Sequence, residues 1–453
     1  MTLWFVALPL AIALAVGLLY RFPLVAALLS AITFLALAVG LITLQKAPDL
    51  LLAGRLVTLS PGARMGSAFC FTLLALMMVY TYRVPQGDLS YTLTMSAAGL
   101  LGASLMIQNN TLKVLALEMG AILGIGLLPV REREDAVLGA RSLVLVALSG
   151  TLLLAGAWTM ESYAPKMGES ALLQFSAGVT IMGFTILLGV GPFGLWLTPL
   201  FRRGAYLAGV VLHVALGGTL LFFLSGFLQG EDIAQARELV HILLFAGGIS
   251  SCLLGGLGAA AQRSVSGTLS YAALADLGIV LAGLGLGTPE SVATGILHFI
   301  YRAVGITVVA MVAGLLRHRF GGDDHEHLAG TWHRAPLLAV ALVTGGLSLA
   351  GLPPLAGFVT RLGLYRALAA ERATWLPAIL ISSLGPAWAF GRCILAALRP
   401  PLVPQGGPAP RHPGLLAFSL GLLLLALGLF PHLLTLLPPP WIDLLTSASA
   451  FAL

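Results

Sequence analysis

Apolar runs of about 20 residues follow one another from Leu3 almost to the end of the sequence, separated by short polar connections. At 1.5 Å rise per residue, such a run crosses the roughly 30 Å hydrocarbon layer of a bilayer as a helix. No other feature constrains the fold as much, because in lipid every backbone polar group must find its partner inside the protein. Charged residues make up 9% of the 453 residues, against about 25% in a soluble domain. The expected fold is an all-α integral membrane protein of about fourteen transmembrane helices. The spans fall near 3–20, 23–44, 66–82, 89–107, 111–130, 137–159, 172–197, 204–228, 237–260, 266–287, 290–316, 335–365, 374–397 and 413–436. The first run lacks a basic start and a small-residue cleavage site, so it is expected to be a retained helix and not a signal peptide.

The net charge of +6 does not point to nucleic acid. There are three lysines, and the arginines stand singly between apolar runs, as in membrane loops. The expected surroundings are a lipid bilayer. Cys70, Cys252 and Cys393 lie far apart in apolar segments, with no disulfide or metal spacing. No dinucleotide fingerprint or phosphate loop is present. Neither a cofactor nor a metal is therefore expected on this chain. The polar stretch Arg317–Arg334 carries His325, His327 and His333. Their spacing is not that of a closed zinc site, and a solvated charged loop is expected there. An even number of spans puts both termini on one side. With the termini outside, the inner loops hold twelve basic residues and the outer loops seven, Lys46, Arg64 and Lys166 among them. Both termini are accordingly expected on the non-cytoplasmic side of the cell membrane.

Two apolar runs are interrupted. In SLAGLPPLAGFVTR, Ser348–Arg361, the prolines at 353 and 354 cannot continue a helix, and a cation follows about two turns later. In GFTILLGVGPFGLWLTPLFRR, Gly183–Arg203, the interruption is Gly189, Gly191, Pro192 and Gly194. Non-helical backbone at membrane depth needs protein or a water-filled cavity to satisfy it. Paired interruptions in two halves of a chain point to an inverted-repeat transporter with a pathway near the midplane. The plainer alternative is an ordinary kink, since glycine and proline are common in membrane helices.

Once the loops are set aside, few ionisable residues remain. Glu118, His213, Asp276, His298, Arg302 and Arg361 are the candidates for a pathway, with His241 and Arg366 nearer the span ends. His298 and Arg302 are four apart and share a helix face. A single intramembrane histidine commonly serves packing. A row of such groups on successive spans is what proton relays are built from.

GFTILLGVGPFGLWL (Gly183–Leu197), LSYAALADLGIVLAGLGLGTPESVATGILHFIYR (Leu269–Arg302) and LSLAGLPPLAGFVTRL (Leu347–Leu362) together resemble the antiporter-like membrane subunits of respiratory complex I and of energy-converting membrane-bound hydrogenases, relatives of Mrp-type antiporters. The likeness runs from about residue 89 onward, and its middle piece is most similar to the hydrogenase-type F subunits. It implies two inverted five-helix repeats, with the seventh and twelfth helices broken. On this basis residues 1–110 are N-terminal helices, 111–228 the first repeat, 237–397 the second, and 398–453 a linker, last helix and tail. The long lateral helix of the largest subunit of this type is not expected. The resemblance also implies a central hydrophilic axis that conducts protons, driven by a soluble redox module through other membrane subunits.

By the same resemblance, Glu118 falls on the fifth-helix glutamate and His213 on an eighth-helix position that is usually Lys, His or Asn. Asp276 falls on a tenth-helix and Arg302 on an eleventh-helix histidine, and Arg361 on the twelfth-helix Lys or Glu. The family's seventh-helix lysine falls on Leu187, a further lysine on Ile306, and a Lys-Arg pair on Ser266 and Gly267. Arginine holds its proton in proteins, so it is a poor substitute for a proton-handling lysine. Three readings stay open. In the first, Glu118, His213, Asp276 and His298 relay protons (sodium is the alternative ion) while Arg302 and Arg361 act as fixed charges. The second is a non-conducting structural paralogue with its charges closed into pairs. The third is an ion-coupled carrier subunit, for example for inorganic carbon uptake. If the chain conducts, its C-terminal half is expected to look more like a channel than its N-terminal half.

Overall fold

The computed structural model describes residues 3–43, 50–52, 55–163, 170–229, 236–400 and 411–436. Lys46, Lys166, the 401–410 part of the linker and the tail from 437 lie outside the described residues. Among those described, nine helices are long and apolar enough to cross a membrane, and Trp4–Leu18, Pro336–Ala350 and Gly414–Leu429 are shorter apolar helices. The protein is a multi-pass, helical membrane protein. One small exception is a ribbon that pairs β1 (Leu50–Leu52) with β2 (Arg55–Val57).

The chain divides into two compact units, Met1–Leu188 with Val211–Leu243, and Gly189–Val210 with Leu244–Leu453. The first holds α1 (Trp4–Leu18), α2 (Pro23–Thr43), α3 (Pro61–Arg83), α4 (Ser90–Met106), α5 (Asn110–Gly126), α6 (Arg133–Tyr163) and α7 (Ser170–Leu188). After a 3₁₀ turn, Gly191–Trp196, the second unit contributes α8 (Thr198–Arg202) and α9 (Tyr206–Val210). A π-helical segment, Val211–Leu216, and α10 (Gly217–Gln229) return to the first unit. Then come α11 (Arg237–Ala260), α12 (Val265–Leu286), α13 (Pro289–Phe320), the short α14 (His325–Leu328) and α15 (Thr331–Arg334), α16 (Pro336–Ala350), α17 (Ala356–Glu371), α18 (Leu376–Leu398) and α19 (Arg411–Leu429).

Local capping sets the boundaries. Ser60 accepts a hydrogen bond from the Ala63 N–H at 3.2 Å and Pro61 opens α3, so this helix starts before the apolar run does. Arg64, expected in a loop, is consequently inside α3 and buried. Asn109 caps α5, Ser264 caps α12 and Thr288 caps α13. The stretch expected as a solvated loop is folded. Asp323, only 3% exposed, accepts from the Ser266 N–H at 2.7 Å, and its carbonyl accepts from Val265 N–H at 2.9 Å. A tertiary cap on α12 thus pins Arg317–Arg334 in place.

In the second unit α12 and α13 are central. Their apolar spans are 89% and 94% buried, against 33% for the α18 span. A helix that is apolar all round belongs inside other helices. The charges in the middle of these helices, Asp276 on α12 and His298 and Arg302 on α13, are therefore held in protein and not in lipid or water.

Candidate functional site

The end of α16 determines where the charges gather. A helix leaves its last carbonyls without intrahelical partners, and at membrane depth water does not supply them. Gly351 takes the left-handed conformation, φ +71°, so the Gly351 and Leu352 N–H groups fold back onto the carbonyls of Ser348 and Leu347, both at 3.0 Å. Two carbonyls remain. Arg361, on the second turn of α17, reaches back and takes both: Nη2 donates to Leu349 O at 2.5 Å and Nη1 to Ala350 O at 3.0 Å. The guanidinium lies against Gly351, where a Cβ would sit 2.2 Å from Arg361 Cδ. A positive group at a helix C-terminus also complements the helix dipole.

The same guanidinium is paired. Arg361 Nη2 donates to Asp276 Oδ1 of α12 at 2.6 Å, and Nη1 to Ser383 Oγ of α18 at 3.0 Å, which in turn lies 3.1 Å from the Tyr365 hydroxyl. His298 of α13 completes the cluster, with Nε2 2.9 Å from Asp276 Oδ1 and Nδ1 2.8 Å from Thr360 Oγ1. Arg302, one turn along α13, donates from Nη2 to Ala273 O of α12 at 3.2 Å, with its guanidinium 5.5 Å from the centre of the Phe299 ring. Asp276, His298 and Arg361 are each 1% exposed and Arg302 is 2% exposed. Taking such charges out of water is costly, and only close geometry with further hydrogen bonds compensates. Arginine does not release its proton, whereas imidazole is the side chain built to change charge near neutral pH. Chemically, the cluster is one imidazole held between a carboxylate and a hydroxyl, beside two fixed cations.

Of the six residues singled out from the sequence, the structure brings Asp276, His298 and Arg361 into direct contact and places Arg302 alongside. Glu118 and His213 belong to the first unit. The Glu118 carboxyl lies against Gly150 of α6, where a Cβ would come within 2.3 Å of it, and has no hydrogen-bond partner among the described residues. His213 is buried in the π-helical segment, a rare geometry that frequently occurs at functional sites. Leu187 and Ile306, at the positions where the resemblance places lysines, are buried. The first unit also holds a cavity of about 360 Å³ beside α5, lined by Lys113, Phe184, Phe223 and other largely apolar groups. Thr360, Ser383 and Tyr365 escaped the sequence reading. A neutral hydroxyl in a membrane helix carries little signal, although Thr360 does adjoin Arg361 in the broken stretch.

Outside the membrane spans, Asp324 caps α14 and bonds His327 Nδ1 at 2.8 Å. Partial burial raises its carboxyl, but the His327 ring and the N–H groups of His327 and Glu326 outweigh this and hold it below the ordinary value of 3.8. Burial, followed by Arg392 and Arg399, pushes His325 down. No group of three metal-ligating side chains occurs among the described residues.

The family described as NADH:quinone oxidoreductase/Mrp antiporter, TM, matches residues 136–385. NADH-quinone oxidoreductase subunit N of Polaromonas naphthalenivorans (strain CJ2) is 28% identical over 357 residues, 70% of this chain and 69% of that protein. Among solved structures, a chain of the membrane-bound sulfane sulfur reductase, an archaeal respiratory membrane complex, superposes with a TM-score of 0.85 at 19% identity, covering 100% of this chain and 97% of that one. A chain of respiratory complex I from Thermus thermophilus with bound NADH gives 0.79 at 19% identity, covering 100% of both. At these identities the structural likeness establishes a shared fold.

Proposed function

The chain belongs to the NADH:quinone oxidoreductase/Mrp antiporter transmembrane family, and from that premise we propose that it is a membrane-arm subunit of a multisubunit redox complex, coupling chemistry in a soluble partner module to proton translocation. The proposed setting is the cytoplasmic membrane, with both termini on the non-cytoplasmic side. The proposed architecture is about fourteen spans, with inverted five-helix repeats at 111–228 and 237–397 and broken seventh and twelfth helices. Electron carriers are assigned to the partners and none to this chain.

The observation that carries this reading is the His298 imidazole, buried between Asp276 and Thr360 and next to Arg361. In the proposed mechanism His298 takes up and releases the proton. Asp276 balances the imidazolium, and Arg302 and Arg361 are fixed charges that favour release. Glu118 and His213 serve the corresponding role in the first unit. The test is proton pumping by the purified assembly in vesicles. His298→Gln and Glu118→Gln are each expected to reduce the protons moved per electron pair while leaving subunit composition unchanged. Pumping equal to the parent in both variants contradicts the reading.

One observation favours a second reading. Both Nη atoms of Arg361 are engaged, by Asp276, two backbone carbonyls and Ser383, while its buried Nε has no partner among the described residues. A guanidinium tied to a carboxylate and two helix-end carbonyls also suits a non-conducting subunit in which the charges brace a broken helix. That reading predicts normal pumping whenever the brace is replaced without loss of fold. An ion-coupled carrier, for instance for inorganic carbon, is distinguished by co-purification with a carbon-handling partner and not with redox subunits.

A further inference from the structure

The hydrogen-bond roles around His298 follow from its neighbours. Asp276 Oδ1 already accepts from Arg361, and a carboxylate only accepts, so His298 Nε2 must carry a hydrogen and donate to it. In the neutral ring Nδ1 is then the bare nitrogen. The Thr360 hydroxyl, 2.8 Å away, donates to it. Thr360 Oγ1 also lies 3.3 Å from the Gly357 carbonyl of its own helix, a second acceptor within reach of the same hydroxyl hydrogen. When Nδ1 gains a proton it becomes a donor. The hydroxyl then turns its hydrogen to Gly357 O and accepts from Nδ1 with its lone pair. Both charge states of the imidazole stay hydrogen-bonded without any backbone movement.

We propose that Thr360 is the positioning residue of the proton-carrying imidazole, a two-way hydroxyl that makes Nδ1 the loading nitrogen of His298 and serves it in both charge states. Loading forms one N–H bond at Nδ1 as a hydronium ion reaching the site breaks one O–H bond and becomes neutral water, and it leaves the positive charge on the ring. Of the charged groups in the cluster, Asp276 of α12 bonds the ring at Nε2, Arg361 of α17 bonds the same Asp276 oxygen, and Arg302, one turn along the ring's own helix, bonds Ala273 O. Asp276 occupies Nε2, so these groups leave Nδ1 to Thr360. Thr360 is 2% exposed, so bulk water does not substitute for it. The inference rests on the reading of His298 as a proton carrier.

Thr360→Val keeps the shape and removes the hydroxyl, while Thr360→Ser keeps the hydroxyl. The full chain in its assembly, labelled with ¹⁵N-histidine, gives the His298 resonances by their loss in His298→Gln. The parent is expected to show neutral His298 protonated at Nε2, with a hydrogen-bonded Nδ1. The valine variant is expected to lose that Nδ1 hydrogen-bond signature, and the serine variant to keep it. Proton pumping is expected to fall about tenfold in the valine variant, as for loss of one well-made hydrogen bond, and to recover with serine. A parent ring protonated at Nδ1 alone, or equal pumping by the valine variant and the parent, overturns the proposal. If His298→Gln halts pumping and Thr360→Val does not, the role of Thr360 fails alone. If His298→Gln itself pumps normally, the carrier reading fails and takes this inference with it.

Discussion

Two interrupted helices in one chain are closed by different chemistry. Past Gly189, neutral groups pair three N–H groups of the first break. The Gly191 N–H donates to Ser251 Oγ at 2.7 Å, and the Phe193 and Leu197 N–H groups donate to the carbonyls of Val190 and Gly194. At the second break the loose carbonyls are taken by the guanidinium of Arg361, which brings with it Asp276 and then His298. Both arrangements meet the demand that backbone polar groups in a membrane be paired. A broken helix therefore does not by itself make a pathway. What differs is the group that closes it, and a charged one obliges further charges to assemble around it.

The largest expected effect is at the charged closure. Arg361→Met takes the cation away from the buried Asp276 and is expected to cost about 3–5 kcal/mol, as for breaking one side of a buried pair. Thermal unfolding of the solubilised protein measures this. Asp276→Leu added to Arg361→Met is expected to recover the part of the loss that comes from the stranded carboxylate, while the Leu349 and Ala350 carbonyls stay unpaired. If the double variant is no more stable than the single, the ion pair is not what holds the break.

Next is Gly351→Ala, which forces a left-handed conformation on a residue with a Cβ and pushes that Cβ into Arg361. A loss of about 2–3 kcal/mol is expected in the same measurement. At the neutral closure Ser251→Ala leaves one buried N–H unsatisfied, for about 1–2 kcal/mol. Equal losses at the two breaks would erase the contrast between them.

The smallest effect lies outside both breaks. Asp324 is held below its ordinary value of 3.8, chiefly because hydrogen bonds from His327 and Glu326 outweigh its burial. Its contribution to stability is therefore present above pH 3.8 and is lost as the pH falls through the lower, folded value. Asp324→Asn is expected to flatten that part of the stability–pH curve slightly, since the side chain is half exposed.

The contrast between the breaks was only half legible in the sequence. Gly189, Gly191, Pro353 and Pro354 announce interruptions because helix geometry excludes them or needs no Cβ there. Asp276, His298, Arg302 and Arg361 stand out because a charge in an apolar run is expensive. What was hidden is tertiary. That Arg361 turns back onto the carbonyls of its own broken run depends on the left-handed Gly351 and on the closeness of α12. Thr360 looked like any helix threonine until His298 was placed beside it. The Arg317–Arg334 stretch read as solvent-exposed because its charge is visible in sequence, whereas the burial of Asp323 against the start of α12 is not. Arg64 was assigned to a loop because hydropathy marks where a run becomes apolar, while Ser60 and Pro61 mark where the helix begins.

The central claim is that the Asp276–His298–Arg361 cluster moves protons and does more than brace a broken helix. The Asp276→Leu/Arg361→Met double variant tests it most directly, because it removes the carboxylate paired with His298 together with the fixed cation beside it. The measurement is protons translocated per electron pair by the reconstituted assembly carrying that variant, with subunit composition checked in the same preparation. The account predicts an assembled complex whose proton yield falls below that of the parent. An assembled complex with the parent's proton yield would contradict it and would leave the cluster as a structural brace.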